Sequence, residues 1–322
     1  MWKQFELHAD RSMPLELTVL PPGVADVSVI TPAFNAQASI ARTLASIAAQ
    51  TLHPREVIIV DDGSTDGTVA AAEGFAPEMR GIALKILHQD NRGAAAARNR
   101  AIQVAAGHWL AFLDADDEWR PAKIERCMAE LARHGADMAV HDYIRVESGT
   151  ELFIDCARHC PPGIDPFVAQ LLYGFISSTS VVVRHELVRR VGGFDAALRS
   201  SHDYELWLAL LVESGTRFCM IPEALSRYHI TPDGISSNAT LRRAASLTAL
   251  ARHWRALKNR AAFPPLVAAA RATIVHMQAA GMNMDAGRLG AAVLDILSAP
   301  VSLIRLFADL PPDRRPDSLA RP

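Results

Sequence analysis

The chain has 322 residues, 50% of them hydrophobic and 21% charged, which is enough apolar material for a sizeable core and rules out a disordered chain. A formal net charge of -2 removes the broad basic surface that nucleic-acid binding needs, so no nucleic-acid partner is expected. Four cysteines make no disulfide framework, and the first residues lack the basic start and unbroken apolar run of an export signal. The expected setting is therefore the cytoplasm.

In chain order, residues 1–26 read as an N-terminal extension. Val27–Ile30 reads as a strand ended by Pro32, and Ser39–Gln50 as a helix with Ile40, Leu44 and Ile47 on one face. Val57–Val60 is a continuous apolar run, the pattern of a strand buried on both faces of a parallel sheet. Leu84–Leu87, a helix over Ala94–Ala106 and a strand over Trp109–Leu113 repeat the cycle. This alternation predicts an α/β fold with a doubly wound, mostly parallel sheet and flanking helices.

Pro121–His134 reads as a helix closed by Gly135. Asp137–Val146, Glu151–Asp155 and Ser178–Val183 read as strands of a second, mixed part of the sheet, and Asp203–Glu213 as a helix. Cys156, His159 and Cys160 have part of a zinc spacing, but no fourth ligand is evident, so they read as a strand end entering a loop. From about Asn238 the strands stop. Thr240–Lys258, Pro265–Ala280 and Asp285–Leu297 read as a C-terminal helical appendage, closed by Pro300 and the polar tail Pro311–Pro322. The expected division is 27–237 as one unit, split near 120, and 238–322 as the helical region. Packing on the main domain or on a second subunit is the first reading for these helices. A peripheral contact with the inner face of a membrane is the alternative.

Ligands of an open parallel sheet bind beyond the carboxyl ends of its strands. Those ends carry Asp61-Asp62-Gly63-Ser64-Thr65-Asp66 after the second strand and Asp114-Ala115-Asp116-Asp117 after the fourth. Neither the dinucleotide fingerprint nor the Walker loop follows any strand, and no glycine occurs from Thr31 to Leu52. A phosphorylated ligand on this rim would need a divalent cation to offset its charge. Asp114 and Asp116, two residues apart in an extended segment, face the same way. Taken singly, each acidic end also reads as a helix cap or a self-bonded turn.

Val27–Asn35, Val57–Asp66, Asn91–Asn99, Phe112–Asp117, Val191-Gly192-Gly193-Phe194-Asp195 and His202–Trp207 together resemble glycosyltransferase family 2, over roughly Val27 to Ser236. The resemblance implies a GT-A fold and an inverting, metal-dependent transfer from a nucleotide-diphospho-sugar, with Asp62 pointing to a UDP-sugar, in cell-surface polysaccharide synthesis. It implies that Thr31, Asn35 and Asp62 contact the nucleotide base and that Arg98 holds the ribose or phosphate region. Asp114 would reach the ribose hydroxyls or the metal, and Asp116 would ligate Mg²⁺ or Mn²⁺. Asp203 matches the general base. The partners implied are a nucleotide-sugar donor and a glycan or lipid-linked acceptor.

Two departures stand out. His202 precedes the base where the family often has Glu. Arg227-Tyr228-His229-Ile230-Thr231-Pro232 puts Thr231 at the usual histidine position, leaving His229 as a phosphate or metal contact. Trp207, one turn after Asp203, is an acceptor-side candidate, with the core as its other reading. A nucleotidyltransferase would carry a glycine-rich loop after the first strand, which is absent here. A binding module without catalysis is the remaining alternative.

Overall fold

The computed structural model describes residues 20–230 and 238–309. Most of the expected N-terminal extension, together with Thr231 and the tail Pro311–Pro322, lies outside the described residues. The strands are β1 (Val24–Ala33), β2 (His53–Asp61), β3 (Ala83–His88), β4 (Trp109–Phe112), β5 (Glu118–Trp119), β6 (Met138–Glu147), β7 (Thr150–Ile154), β8 (Val181–Arg184) and β9 (Phe218–Ile230). The helices are α1 (Ile40–Ala48), α2 (Thr68–Gly74), α3 (Ala94–Val104), α4 (Lys123–His134), α5 (Pro166–Tyr173), α6 (His185–Arg190), α7 (His202–Val212), α8 (Ala239–Arg252), α9 (Trp254–Arg260), α10 (Pro264–Asp285) and α11 (Leu289–Asp309).

The sheet runs β3-β2-β1-β4-β8-β6-β9-β5, with β7 paired to β6. Its first four strands are parallel, β8 is antiparallel to both β4 and β6, and β9 returns parallel to β6. Because side chains alternate along a strand, the continuous apolar runs feed two cores. Ile30, Ile58, Val60, Leu110 and Phe112 face the α3, α5 and α7 side. Val29, Val57, Ile59, Ala111 and Leu113 face α1 and α4. This is the α/β architecture expected, with the helical region following the last strand.

Several boundaries differ from expectation, each for a local reason. β1 does not stop at Pro32 but runs to Ala33, with Pro32 opposite Val60 of β2. Its pairing with β4 ends at Ile30–Phe112. Pro32 therefore lacks its N–H on a side where no strand remains to accept one. The helix expected over Thr240–Lys258 breaks at His253, which closes α8 and opens α9. Gly287, at φ +71°, makes the turn between α10 and α11. α11 then passes through Pro300 to Asp309 instead of ending there, at the cost of the one hydrogen bond that residue 300 would have donated to Ile296. β9 was not expected from the sequence; Pro222 and the polar Glu223, Ser226 and Arg227 mask its alternation.

Candidate functional site

The site lies where the parallel strands end. Asp61 closes β2 opposite Ala33, and the Asp62 N–H donates to the Ala33 carbonyl at 2.8 Å. Asp62 is buried. Its Oδ1 accepts from Gln89 Nε2 at 2.7 Å and from the Arg92 N–H at 2.8 Å, and its Oδ2 from the Gly93 N–H at 2.8 Å. The carboxylate expected to read a base thus already anchors the Asn91–Gly93 loop to the rim. Asn35 is exposed, in the left-handed region at φ +47°. It knots the two loops together: its N–H donates to Ser64 Oγ at 2.9 Å, and its Oδ1 accepts the Thr65 N–H at 2.9 Å. Thr31 requires correction. Because β1 continues past it, Thr31 is a fully buried strand residue paired with Ile59 and does not reach the rim.

β4 runs into a tight acidic turn. The Asp117 N–H donates to the Asp114 carbonyl at 3.0 Å. The hydroxyl of Thr43 on α1 lies 2.9 Å from the Ala115 carbonyl and 2.8 Å from that of Asp117. Arg42, also on α1, donates to the Asp116 carbonyl at 2.8 Å and pairs with Glu118 at 3.3 Å. Burial, and then the Asp114 charge beside it, lift Asp116 to about 6. Burial, with Asp116 and Asp114 close by, pushes Asp117 well above the usual carboxylate range. Asp117 Oδ1 accepts the His229 N–H at 2.8 Å, while its Oδ2 is buried without a protein partner. His229, on β9, also places Nε2 2.8 Å from Glu118 Oε1. The structure therefore brings His229 to the acidic turn through neighbouring carboxylates.

The third component comes from α3 and α7. Arg98, only 4% exposed, pairs with Asp114 through Nη2 and points Nη1 at His202 Nε2, 2.5 Å away. Arg98 was expected at the ribose or phosphate; in the structure its two amino groups are engaged by Asp114 and His202. An arginine can only donate, so His202 Nε2 accepts and the imidazole is neutral, its hydrogen on Nδ1. Burial, reinforced by the Arg98 charge, pushes His202 down to about 4. Asp203 follows in the first turn of α7, partly exposed, where the helix N-terminus favours an anion. Ser178 Oγ donates to Asp203 Oδ2 at 3.4 Å.

Trp207 is a core residue and not an acceptor platform. It has no exposed surface, and its ring packs edge-on against Phe112 at 5.5 Å and Phe194 at 6.1 Å. One helical turn separates it from Asp203, but α7 is buried on nearly every side there. Cys156 donates its thiol to the Phe175 carbonyl at 3.3 Å, and the His159 ring lies against Tyr173 at 4.8 Å. Two residues that the sequence did not single out complete the frame. Asn99 clamps the Gly193-Phe194 segment, donating to the Phe194 carbonyl at 2.7 Å and accepting its N–H at 2.8 Å. Arg42 braces the acidic turn. Asn99 was visible within its motif; an arginine on the polar face of α1 carries no such signal.

Among the described residues no three His, Cys, Asp or Glu side chains form a closed metal cage. The acidic turn fits a cation that is shared with a ligand. Burial first, and the neighbouring carboxyls second, hold Asp116 and Asp117 above the ordinary range, and the buried Asp117 Oδ2 lacks a protein partner, a donor set that a divalent cation would suit. Magnesium characteristically takes one or two protein carboxylates and completes its shell with phosphate oxygens and water.

Comparison with known proteins gives the family and the fold. The family described as Glycosyl transferase family 2 matches residues 28–192. The chain is 34% identical over 214 residues to the putative teichuronic acid biosynthesis glycosyltransferase TuaG of Bacillus subtilis, covering 66% of this chain and 82% of that protein. It is 27% identical over 213 residues to WfgD of Escherichia coli, a UDP-Glc:alpha-D-GlcNAc-diphosphoundecaprenol beta-1,3-glucosyltransferase, covering 66% and 80%. Among solved structures, Staphylococcus aureus TarS 1-349 in complex with UDP-GlcNAc has a similar fold at TM-score 0.63 and 20% identity, over 87% of this chain and 83% of that one. The mannosyltransferase PcManGT of Pyrobaculum calidifontis, in complex with GDP-Man and Mn²⁺, does so at TM-score 0.58 and 22% identity, over 92% and 83%.

Proposed function

The chain belongs to glycosyl transferase family 2, and from that premise we propose that it moves a sugar from a UDP-sugar to a hydroxyl of a growing cell-surface polysaccharide, with inversion at the anomeric carbon. Residues 27–237 are taken as the catalytic unit, working at the cytoplasmic face of the membrane on a glycan or lipid-linked acceptor. The observation that carries the reading is the Arg98 bridge: one guanidinium joins Asp114 of the acidic turn to the helix whose next residue is Asp203. Donor-side carboxylates and a candidate base are thus held as one unit.

In this reading Asp116, with Asp114, would hold Mg²⁺ or Mn²⁺, which when bound supplies Lewis-acid stabilisation to the departing diphosphate. The loop tied by Asn35 and Asp62 encloses the base, and His229, which touches the adjoining Asp117 and Glu118, is a phosphate-side contact. Asp203, oriented by Ser178, accepts the proton of the acceptor hydroxyl as its oxygen bonds to the anomeric carbon. The bond from that carbon to the diphosphate oxygen breaks as the new one forms. This reading assigns none of the described residues as a nucleophile and takes the reaction as one displacement with inversion. Teichuronic acid biosynthesis by TuaG and transfer from UDP-Glc to alpha-D-GlcNAc-diphosphoundecaprenol by WfgD support a polysaccharide acceptor.

The test is a panel of nucleotide sugars with Mn²⁺ and candidate acceptors. Release of nucleoside diphosphate coupled to a β-linked product from an α-linked donor is the expected result. Pyrophosphate as product would indicate nucleotidyl transfer, donor binding without turnover would indicate a module that has lost catalysis, and a retained anomeric configuration by NMR would defeat the single displacement.

A further inference from the structure

Guanidinium bridges flank Asp203 on both sides. Ahead of it, Arg98 holds His202 and lies 5.3 Å from the centre of the Phe194 ring. Behind it stands Arg252, the last residue of α8. Arg252 Nη1 donates to Asp195 Oδ2 at 2.7 Å and lies 3.8 Å from Glu205 Oε1. Asp195 follows the Gly193-Phe194 segment that Asn99 clamps, and Glu205 follows Asp203 by two residues in the first turn of α7. His253 brings Nε2 to 3.4 Å from the same Glu205 oxygen, out of line for a hydrogen bond. The break between α8 and α9 therefore sets Arg252 and His253 against the two ends of one short segment, residues 195–205.

That segment needs an outside tie. Ser201 opens α7 at a left-handed φ of +54°, and its side chain makes no cap. The first turn thus lacks the hydrogen bond that a serine at this position ordinarily supplies. The Ser178 contact to Asp203 is long, at 3.4 Å. Toward the start of α8, a cleft of about 180 Å³ separates residues 197–200 from Leu241, Ala244 and Thr248. Asp195 is set up for its partner. Its Oδ1 accepts the Ala197 N–H at 2.9 Å, leaving Oδ2 for Arg252. Burial works against its charge, yet the hydrogen bonds from Arg252 and the Ala197 N–H hold Asp195 below its ordinary value. The pair is ionic at neutral pH.

We propose that Arg252 is a positioning residue for the transfer: by bridging Asp195 and Glu205 it fixes both ends of the 195–205 segment and so holds the Asp203 carboxylate in line with the acceptor hydroxyl. The inference rests on the proposed function, in which Asp203 is the base. Arg252 acts through the segment and touches no reacting atom. A misplaced base costs rate and not donor affinity, whereas a partly exposed pair such as Arg252–Asp195 adds little to stability. The helical region meets α7 again through Arg271 of α10. Its guanidinium lies 4.7 Å from the centre of the ring of Tyr204, the residue after Asp203, and donates to the Leu172 carbonyl at 3.1 Å. Arg260 of α9 differs: it pairs at 3.2 Å with Asp165, the cap of α5, and not with the segment.

The experiment compares the full chain with Arg252→Ala, Asp195→Asn, their double variant and Arg260→Ala, using the donor and acceptor that the nucleotide-sugar panel identifies. The folded fraction is counted by UDP-binding stoichiometry. In Arg252→Ala, kcat per folded molecule should fall about tenfold, with donor KM and UDP affinity unchanged. Asp195→Asn should lose a similar factor, and the double variant no more than either alone, because all three remove one contact. Arg260→Ala should keep the parental kcat per folded molecule. Hydrogen exchange without substrate should show the Ala197 and Glu205 amides of Arg252→Ala exchanging about tenfold faster than in the parent. Parental kcat or unchanged exchange in Arg252→Ala overturns the proposal. So does a loss seen in donor KM, losses that multiply in the double variant, or an equal loss in Arg260→Ala. Each of these leaves the transferase reading standing, whereas a parent chain that transfers nothing across the panel defeats that reading itself.

Discussion

His202 Nε2 lies 2.5 Å from Arg98 Nη1, while the other amino group of the same guanidinium pairs with Asp114. A neutral imidazole therefore does the work of accepting from a buried cation, immediately before the residue read as the base. His202→Ala would leave Arg98 with a buried donor unmet, at a cost of about 2 kcal/mol. We expect kcat per folded molecule, with the folded fraction counted by UDP-binding stoichiometry, to fall about tenfold with little change in donor KM. His202→Gln, which restores an acceptor oxygen, should recover most of the loss. Unfolding curves and steady-state kinetics on both variants check this.

Asp203 and Asp116 should fail in different ways. Asp203→Asn keeps the donor side intact, so calorimetry should show unchanged UDP binding while turnover drops by about 10² to 10⁴. Asp116→Ala should instead abolish the Mn²⁺-dependent part of UDP binding. Identical behaviour of the two variants would end the division of roles between them.

Lys123 is fully buried, with Nζ 3.9 Å from the centre of the Trp119 ring and 3.4 Å from the Val181 carbonyl. Burial pushes it down to about 8, below the value of about 10.4 for an unfolded chain. Between those values the unfolded state binds the extra proton, so the Lys123 contribution makes stability rise with pH from about 8 to about 10.4. Below 8 the buried charge is a full liability. Lys123→Met should thus raise stability by about 2 kcal/mol at pH 7, and the gain should shrink as pH rises from about 8 to about 10.4. Urea denaturation at both pH values decides it.

Gly193 sits at φ +75°, and a Cβ there would lie 2.7 Å from Asn99 Oδ1, the atom that accepts the Phe194 N–H. The segment it shapes also lays Phe194 under Arg98, whose guanidinium is 5.3 Å from that ring's centre. Gly193→Ala should cost about 1 to 3 kcal/mol through strain and the lost clamp. Asn99→Ala should cost a similar amount, and the double variant should fall short of their sum, because both disturb one contact. Thermal melts of the three proteins measure it.

What the sequence made legible was periodicity and strand-end chemistry. The unbroken Val57–Val60 run and the acidic Asp114–Asp117 turn announced a parallel sheet and its rim, and both lie where expected. What it hid was direction. Thr31 and Arg98 belong to the right segments, yet a strand longer by three residues buries the one, and the Asp114–His202 pair captures the other. Trp207 lies one turn from Asp203, but spacing along a helix says nothing about whether another layer covers that face; here Phe112 and Phe194 do. β9 escaped notice because Pro222 interrupts a strand whose pairing with β6 shifts register around it. Such outcomes depend on tertiary neighbours, and no local pattern encodes them.

The stacking of Arg271 on Tyr204 has a consequence of scale. It ties α10 to α7, so that Asp203 on one helix and the exposed Leu266 on the other keep a constant separation.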